Sequence, residues 1–207
     1  MKKLTLIAFA LVGSLCGYSQ MIEYPKNQVS VFYCKGQSLY SFLDDTFGGG
    51  CHEDAGKAEG KETWKYTDFT SVYNAEYLRN FIKPWMSMGV QLGYEENQSK
   101  HWINRDHGAK STDKWTEKDR LPYIIAAIQF DWLRYDWIGG YMKSGLGVRL
   151  IFRDKKYESG DTDKAFDWVP CFVEVFGLEV GPKMIRAFGE IGLGAQGFAA
   201  IGIRSRF

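Results

Sequence analysis

The 207-residue sequence predicts an all-β fold, an eight-stranded antiparallel up-and-down transmembrane β-barrel. Three observations carry that prediction. Apolar residues recur with period two in one segment after another, the spacing of a strand and not of a helix. The connections between these segments alternate between short and long, as in a membrane barrel. Aromatic residues make up 16% of the chain, yet mean hydropathy is negative and no segment after the N-terminus reaches the ~18 consecutive apolar residues of a membrane helix. A β-barrel escapes a hydropathy average because only alternate residues face lipid.

The N-terminus predicts export. Lys2 and Lys3 form a basic start, Leu4 to Leu15 form an apolar stretch too short to span a bilayer, and Gly17-Tyr18-Ser19 puts small residues at −3 and −1 before Gln20. Residues 1–19 therefore read as a signal peptide and residues 20–207 as one barrel domain. Cys16 would suit lipid attachment only with a small residue before it, and Leu15 stands there instead. Losing Lys2 and Lys3 takes the formal charge from +1 to −1. A nearly neutral chain offers no electrostatic case for nucleic acid.

Four segments alternate cleanly. In 84–94, Met86, Met88, Val90, Leu92 and Tyr94 face one way, opposed by Trp85, Ser87, Gly89, Gln91 and Gly93. In 138–152, Met142, Leu146, Val148, Leu150 and Phe152 oppose Lys143, Gly145, Gly147 and Arg149. In 184–195, Ile185, Ala187, Ile191 and Leu193 oppose Arg186, Glu190, Gly192 and Gly194. In 198–207, Ala199, Ile201, Ile203 and Phe207 oppose Gly202, Arg204 and Arg206. Four weaker strands complete the eight. These are 27–34, 64–76 (rich in Thr, Tyr, Phe and Val), 121–132 (apolar on both faces, inward side open) and 166–177, where Val169, Cys171, Val173 and Val175 oppose Phe172, Glu174 and Phe176.

Connections near 77–82, 132–137 and 178–183 are short, whereas 35–63, 95–120 and 153–164 are longer and polar. Only the last connection, near 195–197, is short on the long-loop side. An even strand count then puts both termini at the periplasmic, short-turn end. Two aromatic girdles are expected. Trp85, Trp132, Tyr135, Trp137 and Phe207 mark the short-turn end, and Tyr66, Tyr94, Tyr123, Phe152, Phe166 and Trp168 the long-loop end.

The final strand, FAAIGIRSRF, ends in the aromatic Phe207 with Ile203, Ile201 and Ala199 at alternate positions before it. It resembles the C-terminal signal by which the outer-membrane assembly machinery recognises its barrels, although Ser205 departs from the usual pattern. The stretch from Tyr123 to Phe207, with WIGGYMKSGLGVRLIFRDK and FGEIGLGAQGFAAIGIRSRF, is similar to the outer-membrane β-barrel domain family of small eight-stranded proteins. The resemblance implies the fold and an outer-membrane location with lipid and assembly-machinery partners. It implies little about biochemical role, because fold and function are separable.

No chemistry-bearing constellation emerges. His52, His101 and His107 all fall in expected outer loops, and no strand-anchored Ser–His–acid arrangement can be drawn with them. Cys51-His52-Glu53-Asp54 places ligand types side by side, but adjacent residues cannot all reach one ion and the spacing matches no zinc pattern. No metal or other cofactor is expected. Of Cys34, Cys51 and Cys171, the first two flank one expected loop; they pair, closing a ring worth on the order of 3 kcal/mol, or remain free thiols. Residues 38–45 (SLYSFLDD) set Leu39, Phe42 and Leu43 at helical spacing before Gly48-Gly49-Gly50. That short helix would cover the barrel mouth or lie on the membrane, unless it is a local loop cluster.

Eight strands enclose a space only wide enough for side chains. The inward glycines make room for long neighbours such as Trp85, and the expected lumen network comprises Glu174, Arg186, Glu190, Arg204, Arg149 and Lys143. A three-residue turn at 179–181 would set Glu174 opposite Arg186, and the last hairpin would bring Glu190 beside Arg204. The expected function is a non-enzymatic barrel with a plugged lumen, whose outer loops meet an extracellular ligand in binding, adhesion or envelope integrity. The alternative is a portal for small apolar compounds, with Tyr123, Ile125, Phe172 and Phe176 lining an inner pocket. A lipid-modifying enzyme and a soluble ligand-binding barrel with its apolar face inward are further alternatives.

Overall fold

The computed structural model describes residues 25–35, 62–68, 71–81, 83–104, 112–157 and 160–207. The expected signal peptide, the 38–45 helix, Cys51 to Asp54 and His107 lie outside them. The strands are β1 (Asn27–Lys35), β2 (Glu62–Asp68), β3 (Ser71–Asn80), β4 (Met86–Asn104), β5 (Thr112–Arg134), β6 (Ile138–Tyr157), β7 (Thr162–Val180), β8 (Ile185–Gly194) and β9 (Ala199–Arg206).

Every neighbouring pair is antiparallel, and β4 bonds to both β3 and β5, so the sheet closes in the order β3-β1-β9-β8-β7-β6-β5-β4. β2 and β3 both pair with β4 and share one wall, which makes eight staves from nine strands. The seam between the first and last strands is tied at its foot by reciprocal bonds: Asn27 N–H donates to Phe207 O and Phe207 N–H to Asn27 O, each at 3.0 Å. The short connections follow Asn80, Arg134 and Val180, so each begins a few residues later than expected, because β3, β5 and β7 run into the expected turns.

Alternation sends the two faces to opposite environments. Outward stand Val90, Leu92, Leu146, Val148, Ile191, Ile201 and Ile203; inward stand Gln91, Lys143, Arg149, Arg186, Glu190 and Arg204. Leu146, Ile191 and Ile201 are 75%, 68% and 67% exposed, while Lys143, Arg149 and Arg204 are 0% exposed. The ambiguous segment of β5 resolves with Leu121, Tyr123, Ile125, Ala127 and Gln129 inward and Ile124 and Phe130 outward.

Strand lengths depart from the expectation on the long-loop side. Residues 95–104 and 112–120, read as loop, continue β4 and β5, and residues 153–157 continue β6. His101 accordingly lies in β4. Within 95–99, 116–120 and 153–157 charge falls on both faces, so these extensions lack the apolar alternation that marks a strand. Cross-strand ion pairs take its place. Lys118 Nζ lies 2.8 Å from Glu96 Oε1, Arg120 3.4 Å from Asp154, and Arg153 Nε 2.6 Å from Glu117 and 3.1 Å from Asp119. Lys118 donating to Glu96 holds that carboxyl below the usual carboxylate range. On the described residues the wall is therefore lopsided, with β2, β4, β5, β6 and β7 rising beyond the short β8, β9 and β1.

Candidate functional site

The interior holds three stacked groups of polar side chains, each placed by the inward register of its strand. Nearest the short turns, Glu179 of β7 collects three arginines. It accepts from Arg186 Nη1 at 2.9 Å, Arg204 Nη1 at 3.0 Å, and both Nη atoms of Arg206 at 2.7 and 3.0 Å. Arg186 Nη2 also donates to the carbonyls of Tyr135 and Asp136 at 2.8 and 2.9 Å, which fastens the β5–β6 turn to the lumen.

At mid-height, Lys143 of β6 bridges two carboxylates across the barrel. Its Nζ lies 2.8 Å from Glu76 Oε2 and 3.0 Å from Glu190 Oε1, with all three side chains fully enclosed. Tyr141 OH donates to Glu190 Oε1 at 2.7 Å, and Arg204 Nε donates to Ser30 Oγ at 3.0 Å. Aromatic rings cushion the cations. The Arg204 guanidinium lies 4.4 Å from the Tyr141 ring centre and 4.8 Å from that of Phe188, and Lys143 Nζ 4.8 Å from that of Phe32.

Toward the long-loop end, the turn after β8 folds inward. Gly194 and Gly197 adopt φ of +130° and +94°, a region closed to most side chains, and this lets Gln196 point down the lumen. Gln196 Nε2 donates to Glu190 Oε2 at 2.7 Å and its Oε1 accepts from Gln91 Nε2 at 3.1 Å. Arg149 Nη2 donates to Ala195 O at 2.8 Å, its Nη1 lies 3.4 Å from Glu95 Oε2, and Tyr123 OH donates to Asn74.

Five of the six expected lumen residues, Arg186, Glu190, Arg204, Arg149 and Lys143, stand inward in these groups. Glu174 does not. It lies outward between Phe172 and Phe176, because the turn is longer than expected and sets Val180 opposite Ala187, so that Glu174 faces Leu193. Its place beside Arg186 is taken by Glu179. The last hairpin is likewise offset, pairing Glu190 with Ala200 and Arg186 with Arg204. Trp85 is outward and stacks on Phe130 at 6.0 Å, so it is no lumen neighbour.

Phe172 and Phe176 are outward too, which removes half of the apolar pocket drawn for a portal. The inward-apolar soluble barrel does not match either: the outer face is an apolar wall, while the interior mixes apolar residues such as Phe32, Leu78 and Ile125 with buried charges. Cys34 points into the lumen, its Sγ donating to Ala199 O at 2.7 Å; its suggested partner Cys51 lies outside the described residues.

Sequence reasoning missed Glu76, Glu179, Tyr141, Glu95 and Gln196. Following the Val173, Val175, Gly177 alternation one step further would have reached Glu179. Glu76 alternates with Ala75 and Tyr77 in the same way. Gln196 left no signal, because turns have no period.

No family model matches the chain, and no curated protein matches it. Among solved structures it is similar to Ail, the attachment invasion locus protein of Yersinia pestis, solved in complex with the heparin analogue sucrose octasulfate. The identity is 12%, the match covers 89% of this chain and 99% of that one, and the TM-score is 0.41. The ring of eight antiparallel strands is itself the architecture of the small outer-membrane β-barrels.

Proposed function

We propose that this chain is a non-enzymatic outer-membrane barrel, exported by removal of residues 1–19, sealed through its lumen and acting at the cell surface through its outer sheet. The observation that carries this reading is the polarity of the wall: its outer face is apolar, and its buried charges all stand on the inner face. A ring of Leu, Ile, Val and Phe turned to water would be an aggregation surface, whereas turned to lipid it is the ordinary state of a membrane barrel. Aromatic side chains at both ends of the wall, Trp85, Trp137 and Phe207 below and Tyr73, Tyr94 and Trp168 above, support the same depth assignment.

The lumen contacts support a plug. Glu179, Lys143 and Gln196 each tie side chains from several strands, and the arginines between them form cation–carboxylate pairs across the lumen. With the portal's pocket incomplete, the remaining candidate for contact with the outside is the tall sheet of β2, β4, β5, β6 and β7. Its charged residues within 95–99, 116–120 and 153–157 suit binding or adhesion to an extracellular ligand. Planar-bilayer recording of the purified barrel beside protease shaving of intact cells tests both halves of the reading. The expected results are no steady current and cleavage within residues 95–120 or 153–164. A stable large conductance would replace the plugged barrel with a channel, and a protein left whole in intact cells but cut after lysis would remove it from the cell surface.

A further inference from the structure

Glu174 is a carboxylate on a wall of apolar side chains. Its same-strand neighbours on that face are Phe172 and Phe176, and its cross-strand neighbours are Leu193 on β8 and Ser144 on β6. Among the described residues it makes no hydrogen bond and no ion pair. It lies six positions from Val180 at the short-turn end of β7 and six from Trp168 toward the other end. At roughly 3.3 Å per residue and about 45° of tilt, that is ~14 Å of depth each way, the middle of an apolar band ~25 Å tall. A Glu side chain is too short to reach either surface from there. Ionisable groups at such depth are costly and are retained where something covers them.

We infer that the β6–β7 wall is the contact between two copies of this chain in the membrane, with Glu174 of each copy accepting a hydrogen bond from Ser144 of the other. Two embedded copies share one orientation, so their twofold axis runs along the membrane normal. Glu174 and Ser144 sit side by side on adjacent strands. An axis passing between them carries each carboxylate toward the other copy's hydroxyl, with a height offset of roughly 3 Å, from the same strand tilt, that the Glu side chain spans. The patch is thus self-complementary, donor to acceptor twice over. Leu146 and Phe172 above it, and Met142 and Phe176 below, supply a matching apolar surround. This inference rests on the membrane reading proposed above.

The test uses the mature chain refolded into lipid vesicles, in donor- and acceptor-labelled populations, with energy transfer followed as lipid is added. Wild type is expected to show transfer that fades only on strong dilution. Glu174→Leu and Ser144→Ala should each shift that dilution by on the order of tenfold, the loss expected for two intramembrane hydrogen bonds. Glu174→Gln keeps an acceptor for the Ser144 hydroxyl, so it should retain the wild-type transfer. Failure to insert would defeat the membrane reading itself. Insertion with no transfer beyond random mixing, or transfer indifferent to both Leu and Ala variants, would overturn the paired-copy inference. So would a photo-crosslinker at Leu193 that joins a different membrane protein in cells while purified wild type stays monomeric.

Discussion

Arg206, the penultimate residue, grips Glu179 with both Nη atoms, 2.7 Å to Oε1 and 3.0 Å to Oε2. The same carboxylate also binds Arg186 and Arg204, and Arg204 shares its other Nη with Glu76 Oε1 at 3.4 Å. Removing one member of a buried ion pair costs about 3–5 kcal/mol by stranding the other. Glu179→Ala is expected at the upper end of that range. Glu190→Ala is expected to cost less, because Lys143 keeps Glu76 at 2.8 Å. Urea unfolding in lipid vesicles measures both, and equal losses would contradict the layered network.

Packing inside the ring is tight where aromatics lean on glycine. A Cβ on Gly177 would collide with the Tyr141 ring, whose hydroxyl holds Glu190. Gly177→Ala should destabilise by about 1–3 kcal/mol, the usual range for overpacking. Gly189 faces outward with Ala200 O no closer than 3.9 Å, so Gly189→Ala should be nearly neutral. The same unfolding assay compares the two, and a neutral Gly177→Ala would mean that Tyr141 has room to move.

The outward wall predicts a dependence on depth. Leu146 stands two residues toward the long-loop end from the level of Ser144 and Glu174, near the middle of the apolar band. Leu146→Arg should cost about 2–4 kcal/mol in vesicles, and Phe152→Arg, near the upper rim, no more than about 1 kcal/mol. Equal costs at the two positions would argue against a bilayer around this wall.

Phe207 offers a test of assembly. Its backbone bonds to Asn27 close the seam, while its ring lies exposed at the barrel foot. Phe207→Ala keeps the backbone bonds and removes only the ring. If the ring is the assembly signal, the variant should be exported normally yet reach the outer membrane in reduced amount, and should still refold in vesicles. Wild-type surface levels would count against that role.

The sequence by itself determined most of the wall. Period-two alternation in 138–152, 184–195, 198–207 and, Trp85 apart, 84–94 named the outward residues, whereas 166–177 was read with its two faces exchanged, the error a one-residue slip produces. The inward charges Lys143, Arg149, Arg186, Glu190 and Arg204 were legible for the same reason. Only the tertiary structure decided which of them meet. Partnership across a lumen depends on turn length and register on strands far apart in the chain, and the 181–184 turn alone exchanges Glu174 for Glu179 as the acid beside Arg186. It also decided how high the strands rise, because the extensions of β4, β5 and β6 are held by backbone pairing between strands, with ion pairs beside it, rather than by any apolar period along one strand.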